Sequence, residues 1–357
     1  MLLLFAPQCN QQRGLNPYHS AMQDQGAPFA GLTPDVVLNA VDALGLTTSG
    51  QLLALNSYEN RVFQIGLDEP LANGAKFVVA KFYRPQRWTD AQILEEHAFV
   101  AELAAAEIPA VPALVLQDRT LHPYEGFRLA VFARRGGRAP ELGDRSVREW
   151  LGRFIGRIHA VGASSAYVER PALDVETFGT EPSTYLLTHS WLPTDVREVY
   201  RGVVAQALAG IAACYRRAGA IRTLRLHGDC HEGNVLWTDG AASSGPHFVD
   251  FDDSRMGPAV QDLWMLLSGD RAEMQDQLAD VIAGYEDFSE FDRRELHLVE
   301  ALRTLRLIHY SAWIARRWHD PAFPAAFPWF DTPRYWEARI LELREQIAAM
   351  QEPPLTV

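Results

Sequence analysis

The sequence predicts an α+β protein of two lobes: an N-terminal antiparallel sheet with one helix, then a mostly helical remainder. Three observations carry this reading. From Leu52 to Ala133, short alternating or apolar runs alternate with turn signals, and a single long helical pattern intervenes. At Arg134-Arg135-Gly136-Gly137-Arg138 the pattern breaks, and from Ser146 helical spacing dominates. With 357 residues, 48% hydrophobic and 22% charged, the chain exceeds what one core usually takes and can bury two. Residues 1–30 are expected as a loose leader, 31–135 as the N-terminal lobe and 136–357 as the C-terminal lobe.

The first helix should open at Thr33-Pro34-Asp35, an N-cap with proline at the first helical position, and end at Gly45. Val36, Val37, Ala40, Val41 and Leu44 share its face. Leu52 to Leu55, Arg61 to Gly66 and Lys76 to Tyr83 read as an antiparallel meander. Thr89-Asp90-Ala91-Gln92 has the form of a capping box and opens a helix to about Glu107, which Pro109 and Pro112 close. Ala113 to Gln117 and Phe127 to Ala133 are two further expected strands. In the second lobe, Ser146-Val147-Arg148-Glu149 is expected to cap a helix through His159, and Thr194 to Arg217 a second, closed by Gly219. Val235 to Trp237 and His247 to Val249 read as arms of a hairpin joined by the turn Thr238 to Pro246. Helices should resume near Ala259 and Arg293, and a last one at Thr332-Pro333.

Composition excludes several function classes. With 33 Lys+Arg against 45 Asp+Glu the net charge is -12, and no basic block could follow a phosphate backbone, so nucleic acid is not an expected partner. Cys9, Cys214 and Cys230 are odd in number and irregularly spaced, which argues against a disulfide framework and structural zinc and for a reducing compartment. The apolar start Met1 to Pro7 lacks a positive n-region and falls short of the roughly 7–15 residues of a signal h-region. No stretch reaches the length of a membrane span, so a cytoplasmic monomer without membrane contact is expected.

The chemistry concentrates in His227-Gly228-Asp229-Cys230-His231-Glu232-Gly233-Asn234 and, farther on, Phe248-Val249-Asp250-Phe251-Asp252-Asp253. A carboxylate and a carboxamide five residues apart in a glycine-framed loop, with a second acid at a strand end, suit a nucleotide phosphate site. Asp229 is the candidate general base; Asn234 and Asp250 supply hard oxygens for magnesium. His227 orients the loop, Asp262 is a helix-start acid that hydrogen-bonds it, and Cys230 is a small packed side chain. In the first lobe, Lys81 shares a strand face with Val79 and Tyr83. Glu96 interrupts the apolar stripe Ile93, Val100 and Leu103 of the following helix, so Lys81 is its expected partner, with Glu95 the fallback acid. Asn56 to Val62 lies between the first two strands, where phosphates are covered in nucleotide kinases. It has no glycine, and Ser57 offers the hydroxyl.

These residues, with Leu55 to Val62, Lys81-Phe82-Tyr83-Arg84-Pro85, Ile93 to His97, Leu224 to Asn234, Gly257 to Leu267 and Gln351 to Leu355, give the chain a likeness that covers everything after the leader. It resembles the eukaryotic-like kinases of the aminoglycoside phosphotransferase and choline kinase superfamily. The resemblance implies a bilobal protein-kinase-like fold with ATP between the lobes, adenine near Arg134 to Gly137, and Lys81 on the α- and β-phosphates. It implies Asp229 as proton acceptor, Asn234 and Asp250 on Mg2+, Ser57 over the phosphates, and transfer to a protein Ser or Thr hydroxyl in a stress response. The alternative it leaves is a small-molecule hydroxyl kinase for an amino alcohol, sugar or aminoglycoside, for which the acidic chain favours a cationic substrate. Gly228 stands where protein kinases carry the arginine of His-Arg-Asp, Asp252 where they carry the glycine of Asp-Phe-Gly, and Asp252 to Gly257 leaves no room for a long activation segment.

Overall fold

The structure, a computed structural model, describes residues 27–240 and 243–357; most of the expected leader, with Cys9, and part of the Thr238 to Pro246 turn lie outside them. Residues 27–30 form a turn, and Phe29 packs partly buried beneath the sheet, with the Arg61 guanidinium 4.4 Å from its ring.

Helix α1 (Pro34–Asp42) starts where expected, the Thr33 side chain accepting the Val36 N–H. Its Val37, Ala40 and Val41 bury against Ile65, Val78, Ala80 and Leu129 of a five-stranded antiparallel sheet. The strands are β1 (Thr48–Leu55), β2 (Arg61–Leu67), β3 (Phe77–Phe82), β4 (His122–Tyr124) and β5 (Phe127–Ala133), in the order β1-β2-β3-β5-β4. Helix α2 (Asp90–Ala105) begins with the complete Thr89/Gln92 capping box. Ala113 to Gln117 does not form the expected strand. It makes only the isolated bridges Ala113 to Phe132 and Leu116 to Arg119, because Gln117 and Asp118 turn the chain with φ of 49 and 60. The edge strand is instead β4, folded onto β5 by Glu125-Gly126, both at positive φ as a tight hairpin requires.

The helical part comprises α3 (Arg145–Gly162), α4 (Glu181–Thr188), α5 (Thr194–Ala218), α6 (Val260–Trp264), α7 (Arg271–Tyr285), α8 (Val299–Arg316), α9 (Ala322–Ala326) and α10 (Pro333–Ala349). The cap of α3 is Asp144, not Ser146: its carboxylate accepts the Ser146 N–H at 2.8 Å, and Glu149 turns to Arg145. The helix expected from Ala259 stops at Trp264, and α7 starts separately behind the Asp270/Glu273 capping box. The segment at Arg293 begins as a 3-10 turn and becomes α-helical only at Val299. Two ribbons cross this part, β6 (Leu224–Arg225) with β9 (Met256–Gly257), and β7 (Val235–Gly240) with β8 (Ser243–Phe248). Together they hold the two acidic loops side by side. Phe99, Val100 and Leu103 of α2 bury in the large helical core, so α2 joins the sheet to the helices. No helix among the described residues is long and apolar enough to cross a membrane.

Helices α3 and α7 touch backbone to backbone at glycine. A Cβ on Gly152 would sit 2.0 Å from the Val281 carbonyl oxygen, and one on Gly284 1.9 Å from that of Glu149. Gly152→Ala is expected to destabilise the fold by about 1–3 kcal/mol through helix displacement, read as a lower urea midpoint at unchanged m-value.

Candidate functional site: a phosphotransferase cleft

A cavity of about 350 Å³ opens between the sheet and the helical part. Val62, Val79, Ala113, Phe132 and Leu236 line it as apolar walls, and Ser57, Lys81, Glu96, Asn234 and Asp250 bring polar groups to it. Asp229 stands beside it: Asn234 Nδ2 donates to the Asp229 carbonyl at 2.9 Å and reaches the carboxylate at 3.4 Å. Six residues spread over some 190 positions of sequence thus converge on one cleft.

The loop carrying Asp229 is fixed from behind. The N–H groups of His227 and Gly228 donate to the two carboxylate oxygens of Asp262 at 2.8 and 2.9 Å, and His159 Nε2 shares a 3.0 Å hydrogen bond with the same group. Asp262 is buried at the start of α6, so no water competes for it. His227 Nε2–H donates to the Val249 carbonyl at 2.9 Å, and its Nδ1 accepts the Asp229 N–H at 3.4 Å. The imidazole therefore ties the Asp229 loop to the strand end that presents Asp250. Gly228 has φ +86, and a Cβ there would lie 2.1 Å from the Asp253 carbonyl oxygen. That close approach is why a glycine stands in this loop. Cys230 is fully buried, and burial pushes its thiol well up, away from reactivity.

Asp229 itself is charged. Burial opposes ionisation, but Arg306 at 2.7 Å and His231 at 3.4 Å hold its carboxyl well below the usual range. Arg306 lies on α8, and nothing in its local sequence marks it.

The lysine's partners differ from the expected ones. Lys81 Nζ lies 3.0 Å from Asp250 Oδ1 and 2.9 Å from Asp252 Oδ1, and these acids overcome burial to hold the ammonium well above its ordinary value. Glu96 is instead met by Arg170 at 3.4 Å. Glu96 feels the Lys81 charge without bridging to it, and burial pushes its carboxyl up to about 7. The reason is competition: Asp252 is buried within reach of Nζ and is itself held by Asn60 Nδ2 at 2.9 Å and the Arg87 guanidinium. Glu95 caps the loop at Val168 to Arg170, accepting three backbone N–H groups at 2.7 to 3.0 Å.

Asn234 and Asp250 present oxygens to the cavity. The Asn234 amide nitrogen is committed to Asp229, which leaves its Oδ1 for another donor or cation, and the Asp250 side chain is 55% exposed. Asp250 sits at φ 61, ψ 60, a costly conformation for aspartate that points its carboxylate into the cleft. This hard-oxygen pair fits a divalent ion whose remaining ligands are phosphate and water.

The chain matches the phosphotransferase enzyme family (APH) over residues 51–299, a span that takes in most of β1 and Ser57, Lys81, Glu96, Asp229, Asn234 and Asp250, and ends short of Arg306. The chain belongs to this family. Stress response kinase A of Escherichia coli (strain K12) is 42% identical over 334 residues, 94% of this chain and 98% of that protein. The serine/threonine protein kinase RdoA of Salmonella typhimurium (strain LT2) is also 42% identical, over the same shares. Among solved structures, the amicoumacin kinase hAmiN with AMP-PNP and Ca2+ superposes with a TM-score of 0.67 at 18% identity, covering 90% of this chain and 94% of that one. A microcompartment-associated aminopropanol kinase gives 0.66 at 18% identity, with 90% and 100% covered. At these identities the superpositions establish the two-lobed phosphotransferase fold alone.

The Asp229 loop depends on the carboxylate behind it, which takes the His227 and Gly228 N–H groups. Asp262→Ala leaves the two buried N–H groups of His227 and Gly228 unpaired, at about 1–3 kcal/mol each. The expected outcome is a lowered thermal midpoint and a large loss of transfer activity; unchanged activity would contradict Asp262 as the brace.

Proposed function

We propose that this phosphotransferase moves the γ-phosphoryl group of ATP, with Mg2+, to a Ser or Thr hydroxyl of a protein, in a stress response. One observation carries the chemistry: a lysine, a carboxamide and a carboxylate converge on a single nucleotide-sized cavity, with a second, ionised carboxylate at its edge. The full-length relatives named as serine/threonine and stress response kinases support the acceptor class.

In this reading adenine lies among Val79, Phe132 and Leu236, and Lys81 exchanges its acidic partners for the α- and β-phosphates. Ser57 and the backbone of its loop cover the phosphate tail. Asn234 and Asp250 hold Mg2+, which supplies neutralisation of charge on the phosphate oxygens. Asp229 accepts a hydrogen bond from the incoming hydroxyl, orients it in line and takes its proton as the new P–O bond forms. Its depressed pKa suits this role, because the proton then moves late, when the hydroxyl is already acidic. Glu96 lies too far round to clamp Lys81 directly; it fixes Arg170, whose guanidinium donates to the Ser254 and Asp252 carbonyls.

Purified protein with labelled ATP should phosphorylate a generic protein substrate and no member of a metabolite panel of amino alcohols, sugars and aminoglycosides. Label appearing only on a metabolite would assign the enzyme to the small-molecule branch. Asp229→Asn should abolish transfer while ATP still binds. Arg306→Ala removes a cation that stabilises the Asp229 carboxylate, so the Asp229 pKa rises and the base is protonated at higher pH. The acid limb of the kcat/KM profile should therefore move up in pH; an unmoved limb would remove Arg306 from the base's environment.

A further inference from the structure

A second cavity, about 840 Å³, lies on the other side of the Asp252-Asp253 turn from the nucleotide cleft. Five arginines line it, Arg84, Arg87, Arg255, Arg316 and Arg317, with His309 and His319, against only Asp253 and Glu181. Three of the arginines are compensated: Arg84 by Asp320 at 2.6 Å, Arg87 by Asp252 and Asp253, and Arg317 by Glu59 at 2.7 Å. Two are less so. Arg255 is 7% exposed and only shares Asp253, at 3.5 Å, with Arg87, and its Nε has no hydrogen-bond partner among the described residues. Arg316 is exposed, lies over the Tyr185 ring at 5.0 Å and has no ion pair among the described residues.

The surplus is felt locally. Burial, then the neighbouring Arg87 and Arg170, lowers the Arg255 pKa to about 10, although Asp253 works against them. Burial and the charges of Arg255, Arg317 and Arg316 push His309 down to about 3. Burial is the larger part of both shifts, and the flanking guanidiniums add to it.

The cavity is tied to the base through α8 and Asp253. Arg306, His309, Trp313 and Arg316 recur at helical spacing on one face of α8, and Arg306 is the residue bound to Asp229. Eleven positions of α-helix span about 16 Å, the length of a short extended peptide. Asp253 lines the cavity, and its carboxyl feels the charge of Asp229 directly. Residues 1–26, which lead into Ala27 at the rim, carry one acid, Asp24, against Arg13, and do not supply the missing charge.

We propose that this arginine-lined cavity is the acceptor site, and that it selects peptides in which the Ser or Thr is flanked by acidic groups. Carboxylate side chains or a phosphoserine would meet Arg255 and Arg316 while the hydroxyl reaches Asp229. This rests on the protein-kinase reading above, and it reverses the cationic substrate expected from net charge alone.

The test uses the full chain with ATP and Mg2+ on a series of Ser peptides identical except for flanking Glu, phosphoserine, Ala or Lys. The Glu and phosphoserine peptides should exceed the Lys peptide in kcat/KM by about tenfold to a hundredfold, as charge-assisted contacts imply. Arg316→Glu, a surface change, should collapse or invert that ratio, and Arg255→Gln should reduce it. Equal use of all peptides, or a preference for Lys, would overturn the proposal and leave the protein-kinase reading standing. An acidic preference that survives in both variants would equally overturn it, since the arginines named would not be its source. If no peptide is phosphorylated and a metabolite is, both readings fall together.

Discussion

A buried carboxylate at the seam between sheet and helices, Asp252, is the group on which the rest of the cleft depends. It takes Lys81 from β3, Arg87 from the segment after β3 and Asn60 from the turn before β2, all from the sheet side. A charge in that position is tolerable only with this many partners, because desolvation costs several kcal/mol per ion unless fixed donors replace water. The result is a clasp: three separate segments of the sheet region converge on one residue of the helical region. The glycine that ordinarily follows Asp-Phe could not do this, so the replacement by aspartate changes how the two parts are coupled.

A second clasp runs in parallel along the Asn56 to Asn60 loop. Arg84 donates to the Tyr58 and Glu59 carbonyls, and the Glu59 carboxylate takes Arg317 at 2.7 Å and the Trp313 indole at 2.6 Å. Asp320, next to α9, accepts from both Arg61 and Arg84. A loop without glycine thus gains its definition from ion pairs to the far end of the helical part. It is anchored where glycine-rich loops are free.

The second clasp draws on α8 and its C-terminal end, which therefore does more than pack. Its buried side, Leu302, Leu305, Ile308 and Ala312, belongs to the main core, while the adjoining strip carries Arg306, paired with Asp229, and His309 and Trp313, which line the second cavity. One helix pairs with Asp229, anchors the Asn56 to Asn60 loop and lines the second cavity.

The sequence by itself determined most of the elements and the polar residues that line the cleft. Periodicity, the Thr33 and Thr89 caps and the Asp229 to Asn234 spacing are local, and local rules of geometry read them. Asn234 follows from that spacing, Asp250 from a carboxylate at an apolar strand end, and Asp262 from a buried helix-start acid that must find N–H donors; Lys81 follows only from Glu96, which the structure pairs with Arg170 instead. What tertiary structure alone decided is pairing. Glu96 and Asp252 are both buried acids near Lys81, and only the geometry of the seam gives the lysine to Asp252 and Arg170 to Glu96. Arg306, Arg255 and Arg317 look like ordinary surface arginines in sequence. The partners of Arg306 and Arg317 stand tens to hundreds of positions away, because Coulomb forces act through space and no periodicity along the chain records them.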